Sequence, residues 1–396
     1  MNFKKREKIY RIIMLVLITS LITFMVTAVG LSQFYEKTEI GIEKILIKNE
    51  NLSSNLDTKI RGIRTYLEQK YLGEFPEDEK LIESAVKGYV DGIGDEYTEY
   101  LTKEEFEDLT VSVTGDYVGI GIYMAMNKEG EVMVVLPMED SPALEAGLEA
   151  GDIIVSVNGE ECTGTDLNII SSKIKGEEGT TVELEVLRGE EQFKKTITRR
   201  KVEIKNSSSK VLEGNIGYIV LTTFDENCAQ KINQYLADFQ KQGINSVIID
   251  LRDNTGGIVQ EAIGFSELFV KKGDIIMRSY NKEEKETITK SNANATYNMK
   301  VILLVNGYSA SATEIVTGAL KDNKVATVVG TQTYGKGVMQ EVHKFLTGAL
   351  KVTIQEFKTP NGDKIQKVGI TPDVIIEDDK TTEEDEQLQK AIELCK

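Results

Sequence analysis

The residues best placed to do covalent chemistry lie in the C-terminal half of the chain. Val305-Asn306-Gly307-Tyr308-Ser309-Ala310-Ser311-Ala312-Thr313-Glu314 sets a serine between an apolar strand and a helix whose inner face is Ala312, Ile315, Val316, Ala319 and Leu320. Ser311 has two readings. As an N-cap it satisfies free N–H groups, and Glu314 completes a capping box. As a nucleophile it is presented on the turn, beside the positive end of the helix. A serine nucleophile needs a base. His343 is the only imidazole in the chain. It falls in an alternating stretch, Val338 to Leu346, that leads through Thr347-Gly348 into another, Ala349 to Phe357, and so predicts a hairpin. The alternation puts His343 on one face with Met339 and Glu341, opposite Val338 and Val342, as a surface or structural residue. The remaining kind of base is a lysine that is neutral at working pH, which requires burial to pull its pKa down from about 10.4. Tyr334-Gly335-Lys336-Gly337 offers Lys336, between two glycines just past an apolar strand, with no acid from Thr331 to Gln340. An ordinary surface lysine is the plain alternative.

The elements that must position these groups alternate from Gly214 onward. Val247 to Leu251 reads as a buried strand, Arg252 to Gly257 as a glycine-closed loop, and Ile258 to Val270 as a helix. Val301 to Val305 is a second buried strand, followed by the helix from Ser311, and Val325 to Gly330 is a third. This predicts an α/β core whose strand-to-helix turns are where open α/β sheets place their sites.

Between Val111 and about Arg200 the pattern changes to short β-branched runs separated by Gly and Asp or Asn. Strands are expected at Val118 to Met124, Val132 to Leu136, Ile153 to Val157 and Val182 to Leu187. Short helices are expected from Ser141-Pro142 and over Asp166 to Ile174. Lys205 to Lys210 reads as a linker. Tyr117-Val118-Gly119-Ile120-Gly121-Ile122, Ser141-Pro142-Ala143 with Ala146-Gly147, and Gly151-Asp152-Ile153-Ile154 with Val157-Asn158-Gly159 together resemble a PDZ domain. The resemblance implies that Val118, Gly119, Ile120, Gly121 and Ile122 form the loop whose N–H groups converge on a free C-terminal carboxylate. The peptide then adds as a strand beside the sheet edge, with Val118, Ile120 and Ile122 lining the pocket for its last side chain. A β-rich domain without a ligand is the alternative.

Ser311-Ala312, with Lys336 inside Tyr-Gly-Lys-Gly and Gln340 four residues beyond, resembles the carboxyl-terminal processing, or tail-specific, serine peptidases. Asp250-Leu251-Arg252-Asp253-Asn254-Thr255-Gly256-Gly257, Lys358-Thr359-Pro360-Asn361-Gly362 and Gly369-Ile370-Thr371-Pro372-Asp373 match further blocks of that family, and the likeness runs from about Ala85 to Asp373. It implies a Ser311 nucleophile, a Lys336 general base and a Gln340 that orients the lysine. Four residues of extended strand span about 13 Å, too far for Gln340 to touch Lys336, so the chain must turn at Gly335 to Gly337. The natural oxyanion donors are the N–H of Ala312 and that of Gly257 or Gly256. Thr313 stands where a serine is common in the family, with no loss of function expected. The implied protein is an endopeptidase acting on proteins with apolar C-termini, with a crotonase-like α/β core and no cofactor or metal. Rival functions are a catalytically latent PDZ adaptor and an acyl-transfer enzyme acting on CoA substrates, since that core hosts both.

At the N-terminus, Lys4, Lys5, Arg6, Lys8 and Arg11 precede an uncharged run from Ile12 to Leu31. Its roughly 20 residues at about 1.5 Å each span a bilayer core, with the basic flank in the cytoplasm and the rest outside. A signal peptide cleaved near Ala28 is the alternative, and it too exports the chain. The organisation expected is therefore a basic end and transmembrane helix over 1–31, a small helical region over 32–110, the PDZ domain over 111–200, the peptidase core over 201–375 and an acidic tail over 376–396. Residues 32 to about 70 read as a stalk or pairing helix, or as a helix packed on its own domain. Asp+Glu 64 against Lys+Arg 47 gives a formal charge of -17, which disfavours nucleic acid. One histidine and three scattered cysteines, Cys162, Cys228 and Cys395, cannot make a zinc site or a disulfide framework. The tail, acidic from Glu377 to Glu386 and then apolar at Leu388, Ala391, Ile392 and Leu394, is either a helix for homodimer contacts or a solvated end.

Overall fold

The computed structural model describes residues 50–164, 167–345, 347–377 and 384–396. The apolar run Ile12 to Leu31 lies outside them, and among the described residues no helix is long and apolar enough to cross a membrane. The chain divides into a unit ending at Ile82 and another from Glu83 to Lys396. In the first, helix α1 (Glu50–Lys70) leaves Leu56, Ile60, Ile63 and Leu67 exposed. Helix α2 (Asp78–Asp91) spans the division and stops before Gly94, whose φ is 77°.

The second unit opens with strand β1 (Glu99–Leu101) and helix α3 (Lys103–Thr114). A reciprocal capping box starts α3: Thr102 Oγ1 accepts the Glu105 N–H and Glu105 Oε2 accepts the Thr102 N–H. Gly115, at φ 72°, ends it. The β-rich domain therefore starts a few residues later than the change of pattern at Val111 suggests.

That domain holds β2 (Asp116–Gly119), β3 (Ile122–Met126), β4 (Val132–Pro137), α4 (Pro142–Glu145), β5 (Ile153–Val157), β6 (Glu160–Glu161), α5 (Leu167–Ile174), β7 (Thr181–Arg188), β8 (Glu191–Thr198) and β9 (Arg200–Glu203). The main sheet runs β3-β4-β5-β7-β8, with β6 on β5, and β2 pairs separately with β9. The single strand expected over Val118 to Met124 is broken at Gly121, whose φ is 76° and where a Cβ would lie 2.4 Å from that of Ser141.

The α/β core contains β10 (Ser207–Leu212), β11 (Ile216–Leu221), α6 (Cys228–Lys241), β12 (Ser246–Asp250), α7 (Val259–Glu267), β13 (Ile275–Asn281), β14 (Glu286–Lys290), β15 (Lys300–Val305), α8 (Ala312–Asp322), β16 (Ala326–Gly330), β17 (Val338–Phe345), β18 (Gly348–Lys358), β19 (Val374–Ile375) and α9 (Glu386–Cys395). One sheet has the order β10-β11-β12-β15-β16-β19, parallel from β11 onward. Ile219, Val247, Ile249, Leu303 and Val305 pack into a core with α6, α7 and α8, while Tyr218, Ile248, Ile302 and Leu304 pack with α9. A parallel sheet covered on both faces is why β12 and β15 are continuous apolar runs. The hairpin β17–β18 joins a second sheet, β1-β18-β13-β14.

Two expectations are corrected. Residues 205–210 are not a linker: Ser207 to Leu212 is an edge strand antiparallel to β11. Ser208, Ser209, Lys210 and Val211 are all exposed, so no apolar alternation marks it. The tail helix is not free for a partner either, because α9 buries Ala391 and Cys395 and packs Leu388 and Ile392 onto its own sheet.

Candidate active site

Strands β12, β15 and β16 lie side by side and parallel. The segments leaving their C-terminal ends carry Gly256-Gly257, Ser311 and Lys336 in turn, so sheet topology alone brings the three to one end of the core.

Ser311 begins α8 with φ 57° and ψ −115°. This is a costly backbone conformation for a residue with a Cβ, and it persists only where the surroundings enforce it. Glu314, fully buried, supplies much of that enforcement. Its Oε2 accepts the N–H of Ser311 at 2.9 Å and of Lys336 at 2.8 Å, and its Oε1 accepts the Gly335 N–H at 2.8 Å and the Thr333 hydroxyl at 2.6 Å. Burial pushes the Glu314 carboxyl above its ordinary range, against the pull of these four donors. The capping-box reading of Glu314 captures one of its four contacts; the other three reach the loop of the candidate base.

The glycine loop is braced by Asn254, also fully buried. Its Nδ2 donates to Leu221 O at 2.8 Å, and its Oδ1 accepts from Gly256 N and from the Thr313 hydroxyl, both at 2.9 Å. A serine hydroxyl at 313 could make the same bond. Its carbonyl accepts the Ala310 N–H at 3.0 Å. The brace sets the loop against Ser311, and a Cβ on Gly256 would lie 2.9 Å from Ser311 Cβ and 3.0 Å from Ala312 N. The Gly256 N–H is spent on Asn254, whereas those of Gly257 and Ala312 have no acceptor among the hydrogen bonds of the described residues.

Lys336 is partly buried in a loop pressed onto residues 366–369. A Cβ on Gly337 would lie 2.4 Å from Gln366 N, which is why glycine is needed there. Burial lowers the Lys336 pKa below the ordinary lysine range, the Lys351 cation adds to this, and the carboxylates of Glu99 and Glu314 oppose it. Its Nζ lies 4.9 Å from the centroid of the Tyr97 ring. Among the described residues no hydrogen bond joins it to Ser311 or to Gln340. Gln340 sits in β17 beside a bulge, and its buried Nε2 has no partner. The contact that the resemblance implies is thus not made in this structure. His343 is 63% exposed on β17 and pairs with Glu341 at 3.1 Å, so the alternation placed it correctly on the surface. Tyr97, Glu99 and Lys351 escape sequence reasoning because nothing local links them to Lys336.

In the β-rich domain β3 is an edge strand with one side unpaired. Ile122 begins it and Val118 is half-buried. Gly119 ends β2, where it pairs with Arg200 of β9, and Gly121 lies in the turn between β2 and β3. Ile120 and Ile122 are a correction: Ile120 is fully buried and Ile122 8% exposed in one domain core with Val134, Leu148 and Ile170, so neither lines an open pocket.

Residues 215–376 match the model of peptidase family S41, and residues 133–188 match a PDZ domain. The chain is 37% identical over 300 residues to "Probable CtpA-like serine protease" of Staphylococcus haemolyticus, covering 75% of this chain and 60% of that one. It is 35% identical over 384 residues to the protein of the same name from Staphylococcus aureus strain N315, covering 96% of this chain and 75% of that one. The first of these relatives is therefore spanned over less than two thirds of its length. Among solved structures, the photosystem II D1 C-terminal processing protease aligns with 27% identity and a TM-score of 0.48, covering 79% of this chain and 86% of that one.

Proposed function

We propose that this chain, which belongs to the CtpA-like serine proteases of peptidase family S41, is an exported, membrane-anchored endopeptidase that captures protein C-termini with its PDZ domain and cleaves by a Ser311–Lys336 acyl-enzyme route. The observation that carries this is the meeting, at one end of three adjacent parallel strands, of a strained serine, a partly buried lysine of lowered pKa and two N–H groups without acceptors.

In this mechanism neutral Lys336 takes the Ser311 proton as Oγ attacks the scissile carbonyl. The N–H groups of Ala312 and Gly257 receive the oxyanion. Lys336 then gives its proton to the leaving amine, and water, deprotonated by the same lysine, releases the acyl group. Substrate binding must first bring the Lys336 Nζ to Ser311 while its stem stays against the Tyr97 ring, and Gln340, with its unpaired amide nearby in sequence, is the group available to steady it. The open edge of β3 supports strand addition by the substrate tail, with half-buried Val118 near it and the N–H groups of the turn Ile120 to Ile122 for its carboxylate.

The unmade Ser311–Lys336 contact favours one second reading, a catalytically latent PDZ adaptor. A serine-directed fluorophosphonate separates the two: labelling that is lost in Ser311→Ala supports the peptidase, and an unlabelled wild type supports the adaptor. For location we propose a single pass through residues 12–31 with the catalytic part outside, or secretion after cleavage near Ala28. Protease accessibility of the catalytic part on intact cells, with and without recovery in the membrane fraction, tests both. A homodimer remains a proposal for sedimentation to test, without α9 as its contact.

A further inference from the structure

The side chain of Lys336 leaves its loop against a segment that precedes the whole PDZ domain, Tyr97-Thr98-Glu99. That segment is pinned. The Thr98 hydroxyl donates to Asp95 and accepts the Thr353 N–H at 3.1 Å. Strand β1 then pairs with β18, setting Glu99 opposite Lys351, and the two side chains form an ion pair at 2.8 Å. Tyr100 and Leu101, the next residues, are buried. The Tyr97 ring is thus carried on an anchored turn, and the Lys336 Nζ lies 4.9 Å from its centroid.

We propose that Tyr97 is a positioning residue of the catalytic centre: its ring is the wall that fixes the Lys336 stem and screens Nζ from water. The proposal rests on the reading of Lys336 as the base. It makes the segment before the PDZ domain part of the active site, although it contributes no reacting atom.

The ring acts on Lys336 in two opposed ways. Its π-face favours the ammonium, while its bulk removes water that would stabilise the same charge. Burial is the largest influence on Lys336 and lowers its pKa, and on this proposal the Tyr97 ring acts chiefly through that burial. The other groups that bear on the amine are Lys351 on β18, which disfavours its charge, and Glu99 on β1 and Glu314 on α8, which favour it. Tyr334, on the same loop as Lys336, acts on Tyr97. Because Glu99 and Lys351 form a pair, removing either unbalances the charge beside the base.

The test is the pH dependence of kcat/KM for the full chain cleaving an unfolded protein with an apolar C-terminus. Tyr97→Ala should move the acidic limb up by about half to one pH unit, since only part of the burial is lost. It should lower kcat at neutral pH several-fold with KM little changed, and Tyr97→Phe should restore both. Lys351→Met should move the limb up and Glu99→Gln should move it down. If Tyr97→Ala melts early, Tyr97→Leu carries the same expectation with the apolar volume retained. A loss in Tyr97→Ala that is equal at every pH would mean a structural role only and would overturn the proposal. So would a Phe variant as impaired as Ala, or a limb that moves down, which would mean that the ring parks the charged lysine. Activity surviving in Lys336→Ala is a separate failure, that of the base assignment itself, and it would remove the proposal with it.

Discussion

The peptide N–H groups of Ser311 and Lys336 end on the same atom, Glu314 Oε2, at 2.9 and 2.8 Å. The nucleophile turn and the loop of the base are thereby tied through one buried carboxylate. Glu314→Gln replaces an acceptor-only group by one that must point an NH₂ at backbone donors. It should cost about 2–3 kcal/mol of stability and lower kcat by about 10²-fold or more. Thermal unfolding and steady-state kinetics check the two effects, and near-normal kcat would show that the two loops hold their places without it.

Gly257 has φ 141°, and a Cβ there would lie 2.3 Å from Phe224 O. Gly257→Ala should displace the loop and with it one of the two oxyanion donors, lowering kcat by about 10²–10³-fold with little effect on KM. Kinetics on a peptide substrate would show it. An unchanged kcat would remove Gly257 from the mechanism.

Arg252 is the tie between β12 and the tail helix. Its guanidinium binds Asp250 and Asp385 at 2.6 and 2.7 Å and reaches Gln387, with 16% of its side chain exposed. Arg252→Met leaves two carboxylates unpaired and should cost about 3 kcal/mol. The pH dependence has a definite sign. Burial would raise the Asp385 carboxyl, but the Arg252 guanidinium and the backbone N–H groups of Leu388 and Gln387 together hold the pKa below the ordinary carboxylate range. Its stabilisation should therefore be complete above about pH 4 and be lost as pH falls through the lowered folded pKa, a loss smaller in Arg252→Met, where only the backbone donors remain. Denaturant unfolding as a function of pH would reveal an undiminished acid loss in the variant if the pair were not its source.

The parts of the molecule that were legible in the sequence are those whose signal is local. Val247 to Leu251, Val301 to Val305 and Val325 to Gly330 are strands because both faces of the parallel sheet are covered, leaving unbroken apolar runs. Ser311 at its junction and Lys336 between its glycines each admit a plainer local reading, an N-cap and a surface lysine, and only the resemblance to the peptidases singles them out. Ser207 to Leu212 was illegible because an edge strand exposed from Ser208 to Val211 carries no apolar alternation. Ile120 and Ile122 misled because a pattern shared with a binding loop does not say which of its side chains turn inward. Tyr97, Glu99 and Lys351 carry no mark, since only the β1–β18 pairing brings them to Lys336.

The PDZ domain should recognise a free C-terminus at the edge of β3. A peptide with an apolar C-terminal residue should bind at least tenfold more tightly than its amidated form, because the amide loses the charge-assisted hydrogen bonds to the loop. Gly121→Ala should weaken binding, as its Cβ would lie 2.4 Å from Ser141 Cβ at a positive φ. Fluorescence anisotropy of labelled peptides measures both. Equal affinity for acid and amide would mean that the loop does not read the carboxylate.

The central claim is that Ser311 and Lys336 do the chemistry without His343. The most direct test is cleavage of an unfolded protein with an apolar C-terminus by wild type, Ser311→Ala, Lys336→Ala and His343→Ala, between about pH 6 and 9. The account predicts that wild-type activity rises with pH as Lys336 loses its proton, that Ser311→Ala and Lys336→Ala are inactive, and that His343→Ala is near normal. Activity that survives in Lys336→Ala and vanishes in His343→Ala would contradict it.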